Sequence, residues 1–66
     1  MRYQRTSADS VRFAFPSGAE ITFRRVDGKV EETSRSEYAE RLRRQEIAAA
    51  HRVAIVELLE PADAAH

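Results

Sequence analysis

The stretch Val11-Arg12-Phe13-Ala14-Phe15-Pro16-Ser17-Gly18-Ala19-Glu20-Ile21-Thr22-Phe23 constrains this chain more than any other. Val11, Phe13 and Phe15 alternate with smaller or charged residues, and so do Ile21 and Phe23. Period-2 alternation is the signature of half-buried strands. Between them, Pro16-Ser17-Gly18 suits a three-residue loop, with proline at the first turn position and glycine free to adopt positive φ. That loop sets Phe15 opposite Ala19, Phe13 opposite Ile21 and Val11 opposite Phe23. Every large apolar side chain then falls on one face, and Asp9 comes opposite Arg25.

A second hairpin follows at once. Asp27-Gly28 is a favoured pair for a two-residue turn with positive φ at both positions. It sets Val26 opposite Lys29, Arg25 opposite Val30 and Arg24 opposite Glu31. The third strand, near Lys29 to Thr33, is otherwise polar and reads as an edge protected by charge. Tyr3 is compatible with a further short strand, but Met1 to Thr6 is too short a stretch to decide.

Ser34-Arg35-Ser36-Glu37 matches a capping box, and no glycine or proline occurs from there to Glu60. Good helix formers dominate this segment, and Glu37/Arg41 and Glu40/Arg44 are favourably oriented i, i+4 pairs. The pattern predicts an α+β fold: a three-stranded antiparallel β-meander packed by one long C-terminal α-helix. The chain is one small domain over residues 1–66. A partly ordered segment covers 1–9, the meander 10–33, the helix 34–60, and a tail 61–66 follows Pro61. The expected core is Val11, Phe13, Phe15, Ile21, Phe23, Val30, Tyr38, Leu42, Ala49, Val53 and Val56, the last five forming one helical stripe. A competing reading turns the β-branched run Arg52 to Glu60 into a fourth strand; no glycine or asparagine marks the helix stop it requires.

The second half of the expected helix carries hydrocarbon on its other flank as well. Ile47, His51, Ala54, Ile55, Leu58 and Leu59 lie off the sheet-facing stripe and form a candidate interface. A chain of 66 residues hides only about 60% of its unfolded surface, and cysteine is absent, so disulfides cannot supplement it. Self-association as a homodimer, or docking on a larger protein, is the natural supplement.

Net charge is zero, with eleven basic and eleven acidic residues. The balance holds in each half, which argues against a dedicated nucleic-acid binder. Ten of the eleven basic residues are arginine. Arg12 and Arg24 are expected on the open face of the sheet, and Arg41, Arg43 and Arg44 on the outer side of the helix, where forked guanidiniums could contact a partner. The interleaved glutamates would repel a phosphate backbone, so a small dimeric nucleic-acid-binding regulator is the second reading.

No catalytic, cofactor-binding or metal-ligating constellation stands out. His51 lacks a second ligand at helical spacing, and the serines lack a nearby histidine. Ser17 and Ser34 are explained as turn and cap, and the two glycines belong to turns. No apolar run reaches membrane-spanning length, and the polar N-terminus lacks a signal-peptide core. A cysteine-free chain fits the cytoplasm. The expected function is that of a small non-enzymatic protein-interaction module: an adaptor, accessory subunit or inhibitor. Size alone also fits the compact inhibitors of phages and mobile elements.

Overall fold

The computed structural model describes residues 1–59. The chain forms β1 (Arg2–Ser7), β2 (Ser10–Ala14), β3 (Glu20–Val26), β4 (Lys29–Arg35), a 3-10 turn (Glu37–Arg41) and α1 (Arg44–Leu59). The strands make one antiparallel sheet in the order β1-β2-β3-β4. The class is therefore α+β with a meander and a C-terminal helix, but the described residues form four strands rather than three. The expected tail and Glu60 lie outside the described residues.

Both hairpins take the register that turn chemistry dictates. Phe13 pairs with Ile21 and Val11 with Phe23, and Phe15 N–H donates to Ala19 O at 2.9 Å. Gly18 has φ +92°, Asp27 +52° and Gly28 +76°, the left-handed values these loops need. Arg25 N–H donates to Asp9 O at 2.7 Å, and its guanidinium meets Asp9 Oδ1 at 2.5 Å.

The helix differs from expectation in its start and its phase. Ser34 and Arg35 do not cap it; they extend β4 opposite Thr22 and Ile21, where the ladder satisfies their backbone groups. Ser36 Oγ accepts from Glu20 N–H at 2.9 Å, which fastens the strand end. The working start lies at Arg44, where Glu46 Oε1 accepts from Arg43 N–H at 3.1 Å, the back-bond of a capping box. The segment Arg52 to Leu59 is helical, so the terminal-strand alternative does not occur.

Freed from Tyr38 and Leu42, α1 turns a different side to the sheet. Ala50, Ala54 and Leu58 are buried against Val11, Phe13, Ile21, Phe23 and Val30. Tyr38 and Val56 are 47% and 52% exposed, Ala49 is exposed, and Leu42 and Val53 are half-buried. The reason is steric. The sheet face is aromatic, with Phe13 and Phe23 edge-to-face at 5.7 Å between centroids, and alanines allow the helix backbone to approach those rings closely. Phe15, Ala39 from the 3-10 turn and Ala19 from the loop complete the core.

Two arginines from the sheet fix the other end of the helix. Arg25 Nη1 donates to Leu58 O at 3.2 Å, and Arg5 Nη2 donates to Glu57 O. The last turn has no basic residue of its own, so β1 and β3 supply the cations that its exposed carbonyls favour.

Ala54→Leu overpacks the seam and lowers unfolding free energy by about 1–3 kcal/mol. Val56→Ser, which the expected phase would make costly, changes it by less than about 0.5 kcal/mol; urea titration separates them. Arg25→Met removes the carbonyl cap and a half-exposed ion pair. It costs about 1 kcal/mol, a fall of roughly 4–8 °C in melting temperature.

Candidate functional site

A four-stranded sheet is wider than one helix. Strands lie about 4.8 Å apart, whereas a helix with its side chains measures about 10–12 Å across. Helix α1 packs on β2, β3 and β4, and a groove opens along each of its flanks.

The larger groove lies between β4 and α1. It has a volume of about 620 Å³ and is lined by Phe23, Val30, Glu32, Arg35, Arg44, Ile47, Ala48 and His51. Phe23, Val30 and Ile47 give it an apolar floor. A bulge in β4 builds part of the rim: Phe23 pairs with Glu32, but Thr22 pairs with Ser34. Thr33 is the extra residue, so Glu32 and Arg35 share the helix-facing side of the sheet. That parity change permits a forked ion pair, with Arg35 Nε at 2.5 Å from Glu32 Oε2 and Nη2 at 2.7 Å from Oε1. The hydrogen bonds from Arg35, helped by its charge, hold the Glu32 carboxyl below its usual range against the opposing effect of partial burial.

His51 closes the groove toward the β3–β4 turn. Its ring stacks on Phe23 at 5.2 Å and 8°, and Nε2 donates to Val30 O at 3.1 Å. In a two-residue hairpin closed by Val26 and Lys29, the Val30 carbonyl points away from β3. The histidine thus satisfies a backbone acceptor on the sheet edge. Arg44, at the start of α1, has no ion-pair partner among the described residues, where the pairs are Asp9–Arg25 and Glu32–Arg35.

The expected interface residues divide accordingly. Ala54 and Leu58 are in the core, while Ile47, Ile55 and Leu59 pack partly buried against it and His51 is half-buried. The flank expected to await a partner is thus the flank that meets the sheet, because the phase of α1 is set by its alanines. Ile47 and His51 still reach the groove. Arg12 and Arg24 stand exposed on the open face, as expected. The helix-side arginines separate: Arg41 lies in the 3-10 turn, its guanidinium 5.8 Å from the Tyr38 ring centroid, Arg43 precedes α1, and Arg44 borders the groove. That Glu32 and Arg35 share the helix-facing side was not expected from sequence, since it depends on a bulge that leaves no mark in the alternation.

The second groove, about 330 Å³, lies toward β1 and is lined by Tyr3, Arg52, Val53, Val56 and Glu57. Among the described residues no three His, Cys, Asp or Glu side chains converge as metal ligands. No described helix is long and apolar enough to cross a membrane. Comparison with protein-family models, curated proteins and solved structures returns no match to this chain.

The Glu32–Arg35 fork makes stability depend on acid. A carboxylate with a depressed folded pKa stabilises fully above its ordinary value near 4.5 and loses that contribution as pH falls through the folded value. Wild type is expected to exceed Glu32→Gln modestly at neutral pH, since both partners are part-exposed. The two should converge in strong acid, as read from urea midpoints across the pH range.

Proposed function

We propose that this protein is a small, cytoplasmic, non-enzymatic protein-interaction module that docks a partner segment in the groove between β4 and α1. The observation that carries this reading is the groove itself: an apolar floor of ligand-site size, ringed by a few polar groups. Glu32 neutralises Arg35, which leaves Arg44 as the uncompensated charge of the rim. A fitting segment sets an apolar side chain on Phe23, Val30 and Ile47 and a carboxylate beside Arg44. An adaptor, accessory subunit or inhibitor would work in this way.

A non-enzymatic role also agrees with where the reactive residue types lie. One ring nitrogen of His51 is engaged by Val30 O. Ser7 and Ser10 hydrogen-bond to each other at 2.8 Å at the β1–β2 turn, and Ser36 is tied to Glu20. The second reading, a nucleic-acid regulator, draws on Arg12 and Arg24, which have no carboxylate within ion-pair distance among the described residues. Their face offers no ring for stacking bases: Phe13, Phe15 and Phe23 are buried and Tyr3 lies on the helix side. That keeps it second.

Ala48 is exposed and lines the groove, so Ala48→Glu obstructs it and cancels its net positive charge without touching the core. Anilinonaphthalene sulfonate, an apolar ring system with one anionic group, is expected to bind the native protein at one site. Ala48→Glu should weaken that binding by at least about tenfold with an unchanged melt. A partner retained from the native host by wild type should be lost by the same variant. Equal binding by both proteins would remove the groove from consideration.

A further inference from the structure

The two edges of the sheet are finished differently. On β4 the Val30 carbonyl is bonded by His51, a bulge interrupts the strand, and Ser36 ties its end to Glu20. On β1 the register also shifts, between Arg5 and Ser7, but no side chain bonds the outer backbone groups before that point, and every residue from Arg2 to Ser7 is exposed. The hydrogen-bond alternation identifies which backbone groups are free there. Phe15 N–H bonds Ala19 O and Arg25 N–H bonds Asp9 O, so the odd-numbered residues of β2 face β3 and the even-numbered ones face β1. Ala14, Arg12 and Ser10 pair with Arg2, Gln4 and Ser7. The N–H and C=O groups of Tyr3 and Arg5 therefore point outward, unpaired within the sheet.

We propose that a second copy of this chain occupies this edge, β1 against β1, antiparallel about a two-fold axis at Gln4. In that register Tyr3 meets Arg5 of the partner subunit, and four backbone hydrogen bonds satisfy all the outward groups of both copies. Arg2 falls opposite Thr6 of the partner subunit, and Gln4 meets its own counterpart. The strand is self-complementary only there. Moving the axis to Arg5 sets two guanidiniums directly opposite one another, and moving it to Tyr3 requires Met1, which lies outside β1. The apolar residues left bare beside this edge, Tyr3 at 48% and Val56 at 52% exposure, lie on the helix side, where the second copy's Tyr3 and Arg5 arrive. The product is a continuous eight-stranded sheet with both helices on one face. One short strand per copy makes a small interface, so the association is weak and concentration-dependent. The β1 edge lies across the sheet from the β4–α1 groove.

The chain has no cysteine, so a single introduced thiol is an unambiguous trap. Across the two-fold, the Gln4 positions form a close pair without hydrogen bonds between them, with Cα atoms about 4.5 Å apart, within disulfide reach. Gln4→Cys is expected to crosslink to itself at least about tenfold faster than Arg2→Cys or Thr6→Cys alone, while a mixture of the latter two crosslinks to each other. In wild type, exchange of the Tyr3 and Arg5 amide protons should slow as concentration rises, in step with the mass measured by sedimentation. Wild-type mass that stays monomeric overturns the proposal. So does a dimer in which those two amides exchange at an unchanged rate, or a Gln4→Cys protein that folds and crosslinks no faster than the controls.

Discussion

The close approach of Ala50 and Ala54 to an aromatic sheet face determines much of what this molecule can present to its surroundings. Rings run across the sheet from Tyr3 to Phe13 to Phe23 and up to His51 in the helix, with successive centroids 5.3, 5.7 and 5.2 Å apart. A helix with leucine at those seam positions would be held away from the rings. With alanine it settles close over β2, β3 and β4. Its place there is what leaves one groove toward β4 and another toward β1. Both candidate surfaces are consequences of where the small residues lie.

Legibility in the sequence tracked the range of the forces involved. The two hairpins were readable to the individual pair because turn residues and strand alternation act over a few positions and agree. The start of α1 was not, because a capping box is only an offer of hydrogen bonds. Ser34 and Arg35 found theirs in the ladder with β3. The phase of α1 was hidden for a related reason. Residues 47–59 are apolar on nearly every side, so the profile of the opposing face decides which side is buried, and that is tertiary information. β1 escaped because its helix-facing residues are Tyr3 and Arg5, one of them charged; Arg5 faces inward to reach the carbonyl end of α1. The groove rim depended on the bulge at Thr33, which shifts strand parity by one residue.

The arginines show how a neutral protein can still be locally polarised. From sequence they fell into two groups, Arg12 and Arg24 on the open sheet face and Arg41, Arg43 and Arg44 on the outer side of the helix. In the fold they serve separate ends: Arg5 and Arg25 hold the helix terminus, Arg35 forks onto Glu32, and Arg41 lies by Tyr38. Among the described residues, those without a carboxylate or carbonyl partner include Arg12 and Arg24 on the open face and Arg44 at the groove. A guanidinium can serve such different acceptors because its donors are fixed in a planar fork that fits a carboxylate in a bidentate manner and reaches lone carbonyls equally well. Arginine content by itself therefore says little about binding polyanions; what remains after internal bonding says more.

The unequal finish of the two edges bears on how the proposed surfaces would work together. Joining two copies at β1 uses the unprotected edge and leaves β4 outermost on each side. An axis perpendicular to the sheet carries both helices to the same face, so the two β4–α1 grooves would lie at opposite ends of one platform. A partner with two suitable segments could then engage both, the second contact being intramolecular and governed by effective concentration. Weak pairing at β1 would make that engagement depend on how much of the protein is present. The edge that a monomer leaves open would become the element that sets valency, while the floor of Phe23, Val30 and Ile47 in each copy would set what is bound.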